Sequence, residues 1–208
     1  MLLFRISMSM LKTSVKLLCF AAVLLTGSSA YATVITYVGT LNGANESPAN
    51  GSPGTGTALV SYNTVTQLLE VQVTFADLTG PNTAAHIHCC TITPFAGTAG
   101  VATVTPTFTG FPGGVTSGTY DHTFDLTLAS SYNPAFVTAH AGSVPDSEAA
   151  LLGGLAAGTA YLNIHTAQNP GGEIRSFLVA VPEPATLGFV GLALAGLLAF
   201  GRYRRLSA

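Results

Sequence analysis

The chain has no tryptophan, and charge is scarce: Asp, Glu, Lys and Arg make up 8% of its 208 residues. Between positions 33 and 181 the shortage becomes one-sided. Arg175 is the only basic residue there, against eight acids: Glu46, Glu70, Asp77, Asp121, Asp125, Asp146, Glu148 and Glu173. The whole-chain balance of −2 hides this asymmetry, because the other six basic residues sit in the two end segments. A region with a formal charge of −7 has no electrostatic footprint for a phosphate backbone, which argues against nucleic acid as a partner and in favour of cations.

Cysteine is nearly absent as well. Cys19 lies in an N-terminal apolar segment, which leaves the adjacent pair Cys89 and Cys90. Neighbouring cysteines cannot form an ordinary stabilising staple, so in an oxidising space their fates are a vicinal disulfide, an intermolecular bridge or a metal. No Gly-X-Ser-X-Gly occurs and the carboxylates lack a paired spacing, so neither a nucleophile elbow nor a glycosidase pair is present. No internal repeat is visible. Low charge with abundant Thr, Ser and Gly fits an extracellular, β-rich domain surfaced with short hydroxylated side chains.

Long apolar runs are confined to the ends. Arg5, Lys12 and Lys16 precede the apolar stretch 17–25, and Ala30-Tyr31-Ala32 supplies a small-residue cleavage pattern. Residues 1–32 therefore read as a secretory signal peptide cut after Ala32. At the other end, Pro182-Glu183-Pro184 precedes an apolar run and then Arg202, Arg204 and Arg205. A helix over 185–201 has 17 residues, about 25 Å at ~1.5 Å per residue, the lower limit for a membrane span. The arginines place its C-terminal side in the cytoplasm and everything before Pro182 across the membrane. Pro182 and Pro184 keep Glu183 extended and accessible to a processing enzyme.

This order of motifs in 181–208 resembles the PEP-CTERM tail of bacterial exported proteins. The resemblance implies the export machinery and an exosortase-like processing enzyme as partners, an inner-membrane intermediate with its domain on the periplasmic side, and a destination at the cell surface or in extracellular polysaccharide.

The region 33–180 has the size of one domain with a real core. Leu69, Val71, Val73 and Phe75 alternate with Glu70, Gln72 and Thr74, the mark of a strand with one wet face. A similar alternation covers 120–128, and shorter runs at 34–41, 55–62, 84–90, 100–107, 160–166 and 173–179 are bounded by Gly, Pro or Asn. Eight such strands predict an all-β, antiparallel Greek-key sandwich of the immunoglobulin or superoxide-dismutase type. Short helices are expected at 133–136 and at 146–155, the second capped by Asp146 or Ser147 and ended by Gly153-Gly154.

Chemistry concentrates in Ala85-His86-Ile87-His88 and Tyr161-Leu162-Asn163-Ile164-His165-Thr166. On a strand, His86 and His88 share one face, and His165 shares a face with Asn163. If the two strands are neighbours, three imidazoles converge, and imidazole suits zinc or copper. Cys90 joins the same face if the strand runs straight, as a fourth, soft ligand. The competing reading has the histidines hydrogen-bonding to backbone or to Glu46 and Glu173, knitting the sheet edge together. Arg175, the lone cation, is expected in an ion pair with Glu46 or Glu173.

These two segments, with Leu41-Asn42-Gly43-Ala44-Asn45-Glu46-Ser47-Pro48 and Pro170-Gly171-Gly172-Glu173-Ile174-Arg175, resemble the CHRD domain from about residue 34 to 178. The family implies an extracellular β-sandwich without an established catalytic activity. Ser176 stands where the family has Gly after Glu-Ile-Arg, a departure expected to alter a turn. The chain is thus expected to be a surface or matrix-associated binding module without enzymatic activity, its metal structural or used in recognition. The rival is a periplasmic or surface copper or zinc protein with redox or metal-handling activity.

Overall fold

Alternating side chains bury one face of each strand and let the other carry threonines, and this pattern organises the domain. The computed structural model describes residues 34–182 together with Gly196. Its strands are β1 (Val34–Asn42), β2 (Thr55–Asn63), β3 (Leu68–Ala76), β4 (Asn82–His88), β5 (Gly118–Asp125), β6 (Tyr161–Thr166), β7 (Ile174–Phe177) and β8 (Val179–Ala180). All pairings are antiparallel, in the order β4-β6-β7-β1-β2-β3-β5, with β8 against β1.

The antiparallel β architecture with two helices agrees with expectation, but the strands form one sheet rather than the two separate sheets of a sandwich. The sheet curls. Val60, Val71, Val73 and Tyr120 from one end and Ile87, Leu162, Ile164 and Ile174 from the other belong to the same buried cluster. At one corner the two ends nearly meet, where Asn82 of β4 exchanges backbone hydrogen bonds with Gly114 and Val115, just ahead of β5. Phe108, Phe111 and Tyr120 fill the gap, with ring centroids 5.0–6.2 Å apart.

The expected strand at 100–107 forms only isolated bridges, such as His88 with Val101. The segment does run beside β4, but the amides of Ile87 and Ala85 donate to the hydroxyls of Thr103 and Thr107, each at 3.0 Å, instead of to carbonyls. Pro106 has no N–H to contribute to a ladder. The run expected at 173–179 is divided between β7 and β8 by Leu178, whose amide bonds to Ala160.

Helix α1 (Pro134–Ala139) is capped by Asn133, and α2 (Val144–Ala157) by Ser143, which accepts from the Asp146 amide. The second helix starts earlier than Asp146 because Ser143-Val144-Pro145 supplies both a cap and a first-turn proline. It continues through Gly153-Gly154 to Gly158, which closes it at φ 69°, a conformation glycine adopts freely. Its Glu148 accepts from Tyr62 and Gln67, each at 2.7 Å, tying the helix to the sheet.

Among the described residues no helix is long and apolar enough to cross a membrane. The signal peptide with Ala30 and Ala32, the span expected at 185–201 apart from Gly196, and Glu183 and Pro184 lie outside the described residues; Pro182 is exposed.

Candidate metal centre

Register decides which side chains meet. His86 of β4 lies opposite Asn163 of β6, which lies opposite Arg175 of β7, which lies opposite Asn42 of β1. One step along, Ala84 faces His165 and His88 faces Tyr161. The intervening Ala85, Ile87, Leu162 and Ile164 enter the core, so the polar set occupies the opposite face. Loops cover that face, leaving His86 and His88 6% and 7% exposed and His165 half-buried.

Each imidazole is fixed by one backbone carbonyl. His86 donates from Nε2 to Pro106 at 2.7 Å, His88 from Nδ1 to Ala99 at 3.0 Å, and His165 from Nδ1 to Pro170 at 3.0 Å. These bonds assign the tautomers, so the remaining nitrogens, His86 Nδ1, His88 Nε2 and His165 Nε2, carry lone pairs. The three residues each offer a ligand atom within 4.8 Å of the others. His86 Nδ1 is buried without a partner, and His88 Nε2 lies 3.4 Å from His165 Nε2. The Tyr161 ring stacks on His88, centroids 4.8 Å apart.

Burial is the main cause that lowers all three imidazole pKa values, His86 and His88 to about 4, against the carbonyl bonds that raise them. The rings are therefore neutral at neutral pH, the form that ligates metals. His122 and His140 stand apart, His122 against Phe124 and His140 bonded to the Phe136 carbonyl.

Cys90 does not join this face. β4 ends at His88, so its alternation does not extend to residue 90, and Cys90 is bonded to Cys89 as a vicinal disulfide. Both sulfurs lie toward α2, near the Ala150 carbonyl and over Gly154, where a side chain would collide with them.

Arg175 is 3% exposed and pairs with Glu46, Nε to Oε2 at 3.7 Å. Its stronger bonds go to the carbonyls of Asn45 at 2.6 Å and Gly97 at 3.0 Å, and its guanidinium lies 4.7 Å from the Tyr161 ring centre. Burial raises the Glu46 carboxyl to about 7, against the opposing charge of Arg175. Glu173 is not the partner. It precedes β7 and accepts from Ser52 Oγ and the Thr79 amide, each at 2.6 Å, and from Thr166 Oγ1 at 2.5 Å. Burial pushes its pKa up, but the bonds from Ser52, Thr166 and Thr79 outweigh this and hold it below the usual range.

The CHRD domain matches residues 37–178 of this chain, most of its length. The chain belongs to the CHRD domain family. The PEP-CTERM protein-sorting motif matches residues 180–205. No curated protein and no solved structure matches the chain.

The CHRD domain is of an extracellular type, and the PEP-CTERM motif implies export, membrane-anchored sorting by an exosortase-like system, and then the surface. Within this CHRD domain, Ser176 alters no turn. It lies inside β7, where a side chain on the facing Gly39 would come within 2.9 Å of it. The three carbonyls that orient the histidines belong to Ala99, Pro106 and Pro170, residues whose side chains give no sign of the role. Asn163 and Tyr161 were visible only as residues sharing a motif with His165.

Proposed function

We propose that this chain is an exported surface module whose CHRD domain binds one zinc or copper ion through His86, His88 and His165. One observation carries the reading: three neutral imidazoles, each anchored by a carbonyl at one nitrogen, bring ligand atoms within 4.8 Å of one another, with His88 Nε2 and His165 Nε2 3.4 Å apart and no donor between them and with His86 Nδ1 buried and unpartnered. Imidazoles that merely knit a sheet edge would satisfy both nitrogens. A ligating histidine whose second N–H is held by a carbonyl is the usual arrangement around a bound ion.

The same sorting tail carries the rest of the reading. The domain passes through a periplasmic-side, inner-membrane intermediate before reaching the surface or extracellular polysaccharide, supported by the matched motif and the arginines beyond it. No catalytic step is assigned. The disulfide withdraws Cys90 from the ligand set, which disfavours the rival redox role through that thiol.

The test is metal analysis of the full chain, made without an affinity His tag in an oxidising compartment, beside a His86→Ala, His88→Ala, His165→Ala variant. One equivalent of zinc or copper in the parent and none in a folded variant is expected. A parent that takes up neither ion when both are supplied overturns the proposal.

A further inference from the structure

Resting on that metal reading, we infer that the ion keeps one coordination position open to an exchangeable, hydroxyl-bearing oxygen ligand, water or a small molecule in its place, received by Asn163 and Glu46. Among the described residues the ligand group contains three histidines and no fourth His, Cys, Asp or Glu. Tetrahedral sites with four protein ligands are closed, whereas three protein ligands leave a place for solvent or substrate. The nearest soft candidate, Cys90, is committed to its disulfide.

The second observation is independent of the count. Beside His86 Nδ1, two other buried side-chain atoms lack any hydrogen-bond partner: Asn163 Oδ1 and Glu46 Oε1. Asn163 is 2% exposed, lies opposite His86 across the β4–β6 ladder and sits on the same side of β6 as His165. Both orphaned oxygens lie together beside Gly172, where an added Cβ would collide with Asn163 Nδ2 and stand 2.7 Å from Asn163 Oδ1 and 2.8 Å from Glu46 Oε1. Buried acceptors without donors are rare and call for a proton-bearing partner. A ligand that gives an oxygen lone pair to the ion and its O–H to these acceptors satisfies both requirements.

A recess of about 280 Å3 next to this corner is lined by Glu46, Asn50, Gln168, Asn169, Pro170 and Gly172. The chemistry of the acceptors sets the preference. Ligands with O–H or N–H groups, such as hydroxamates and alcohols, fit; anions that only accept hydrogen bonds meet two acceptors and are disfavoured.

The experiment uses the full chain loaded with Co(II), whose visible spectrum reports coordination, titrated with acetohydroxamic acid and separately with azide. Saturable spectral change with acetohydroxamate, weaker with azide, is expected. Asn163→Leu should keep one equivalent of Co(II) and bind acetohydroxamate about tenfold more weakly, the equivalent of one hydrogen bond; Asn163→Asp, which preserves the acceptor and the shape, should retain binding. One equivalent of Co(II) with a spectrum indifferent to both probes overturns the open position and leaves the metal reading intact. Absence of Co(II) uptake overturns the metal reading and this inference with it.

Discussion

Removing the Glu173 carboxylate should be among the most destructive single changes to the domain. Glu173 is fully buried and has no cationic partner among the described residues; it is held by the Ser52 hydroxyl, the Thr79 amide and the Thr166 hydroxyl, donors from three separate segments. Glu173→Ala strands all three. Leaving a buried donor unsatisfied costs about 1–3 kcal/mol, so after partial relaxation a loss of about 3–6 kcal/mol is expected, a large part of the 5–15 kcal/mol typical of a whole domain. Glu173→Gln should lose only about 1–2 kcal/mol, since its carbonyl oxygen still serves Ser52 and Thr79 while Thr166 rotates to accept.

The ionised state gives a second signature. The Glu173 pKa lies below its ordinary value of 4.5, so its contribution is fully present above pH 4.5 and is lost as pH falls through the folded value. The gap between parent and Glu173→Gln should therefore narrow on acidification below pH 4.5. Urea unfolding followed by circular dichroism, at neutral pH and at intervals below pH 5, measures both effects. An alanine variant within 1 kcal/mol of the parent, or a parent–glutamine gap constant through the acid range, would refute the reasoning.

Three further outcomes are expected. Metal-free protein should lose stability between pH 6.5 and about 4, because the unfolded chain protonates His86 and His88 there while the folded one resists, about 1.4 kcal/mol per pH unit for each proton. Glu46, raised to about 7, works in the opposite sense, so Glu46→Gln should steepen the acid loss seen in pH-dependent melting. Arg175→Lys should cost about 3–5 kcal/mol in urea, since an ammonium cannot reproduce the fork to Asn45 and Gly97 or the stack on Tyr161; a loss under 1 kcal/mol would show the planar group to be dispensable. Tyr62→Phe removes one of the two side-chain donors to buried Glu148 and should cost about 1–3 kcal/mol in the same assay.

Most of the sheet was legible because strands such as β3 write their two faces plainly, Leu69, Val71, Val73 and Phe75 on one and Glu70, Gln72 and Thr74 on the other. The segment 100–107 was not, because its threonines pair with β4 through side chains, which period-two reasoning cannot distinguish from a ladder. The convergence of His86, His88 and His165 followed from spacing once β4 and β6 were assumed to be neighbours. Cys90 was misplaced by extending that spacing two residues past the end of the strand. The choice between Glu46 and Glu173 as partner of Arg175 turned on where β7 begins, and the carbonyl anchors of the histidines depend on loop paths that side-chain identities do not encode.

The bond from the Val181 amide to the Thr36 carbonyl places the departing chain beside the first residues of β1, whereas Arg175 and the histidine row align with Asn42 at its other end. Six residue steps separate these levels along the strand, roughly 20 Å at about 3.4 Å per residue. The chain's exit toward the matched sorting motif and the histidine row therefore lie at opposite ends of β1. Under the function proposed above, a domain held by a tail leaving at Pro182 would meet diffusing ligands at the far end of β1 without first being cut free, so capture and release would need no fixed order.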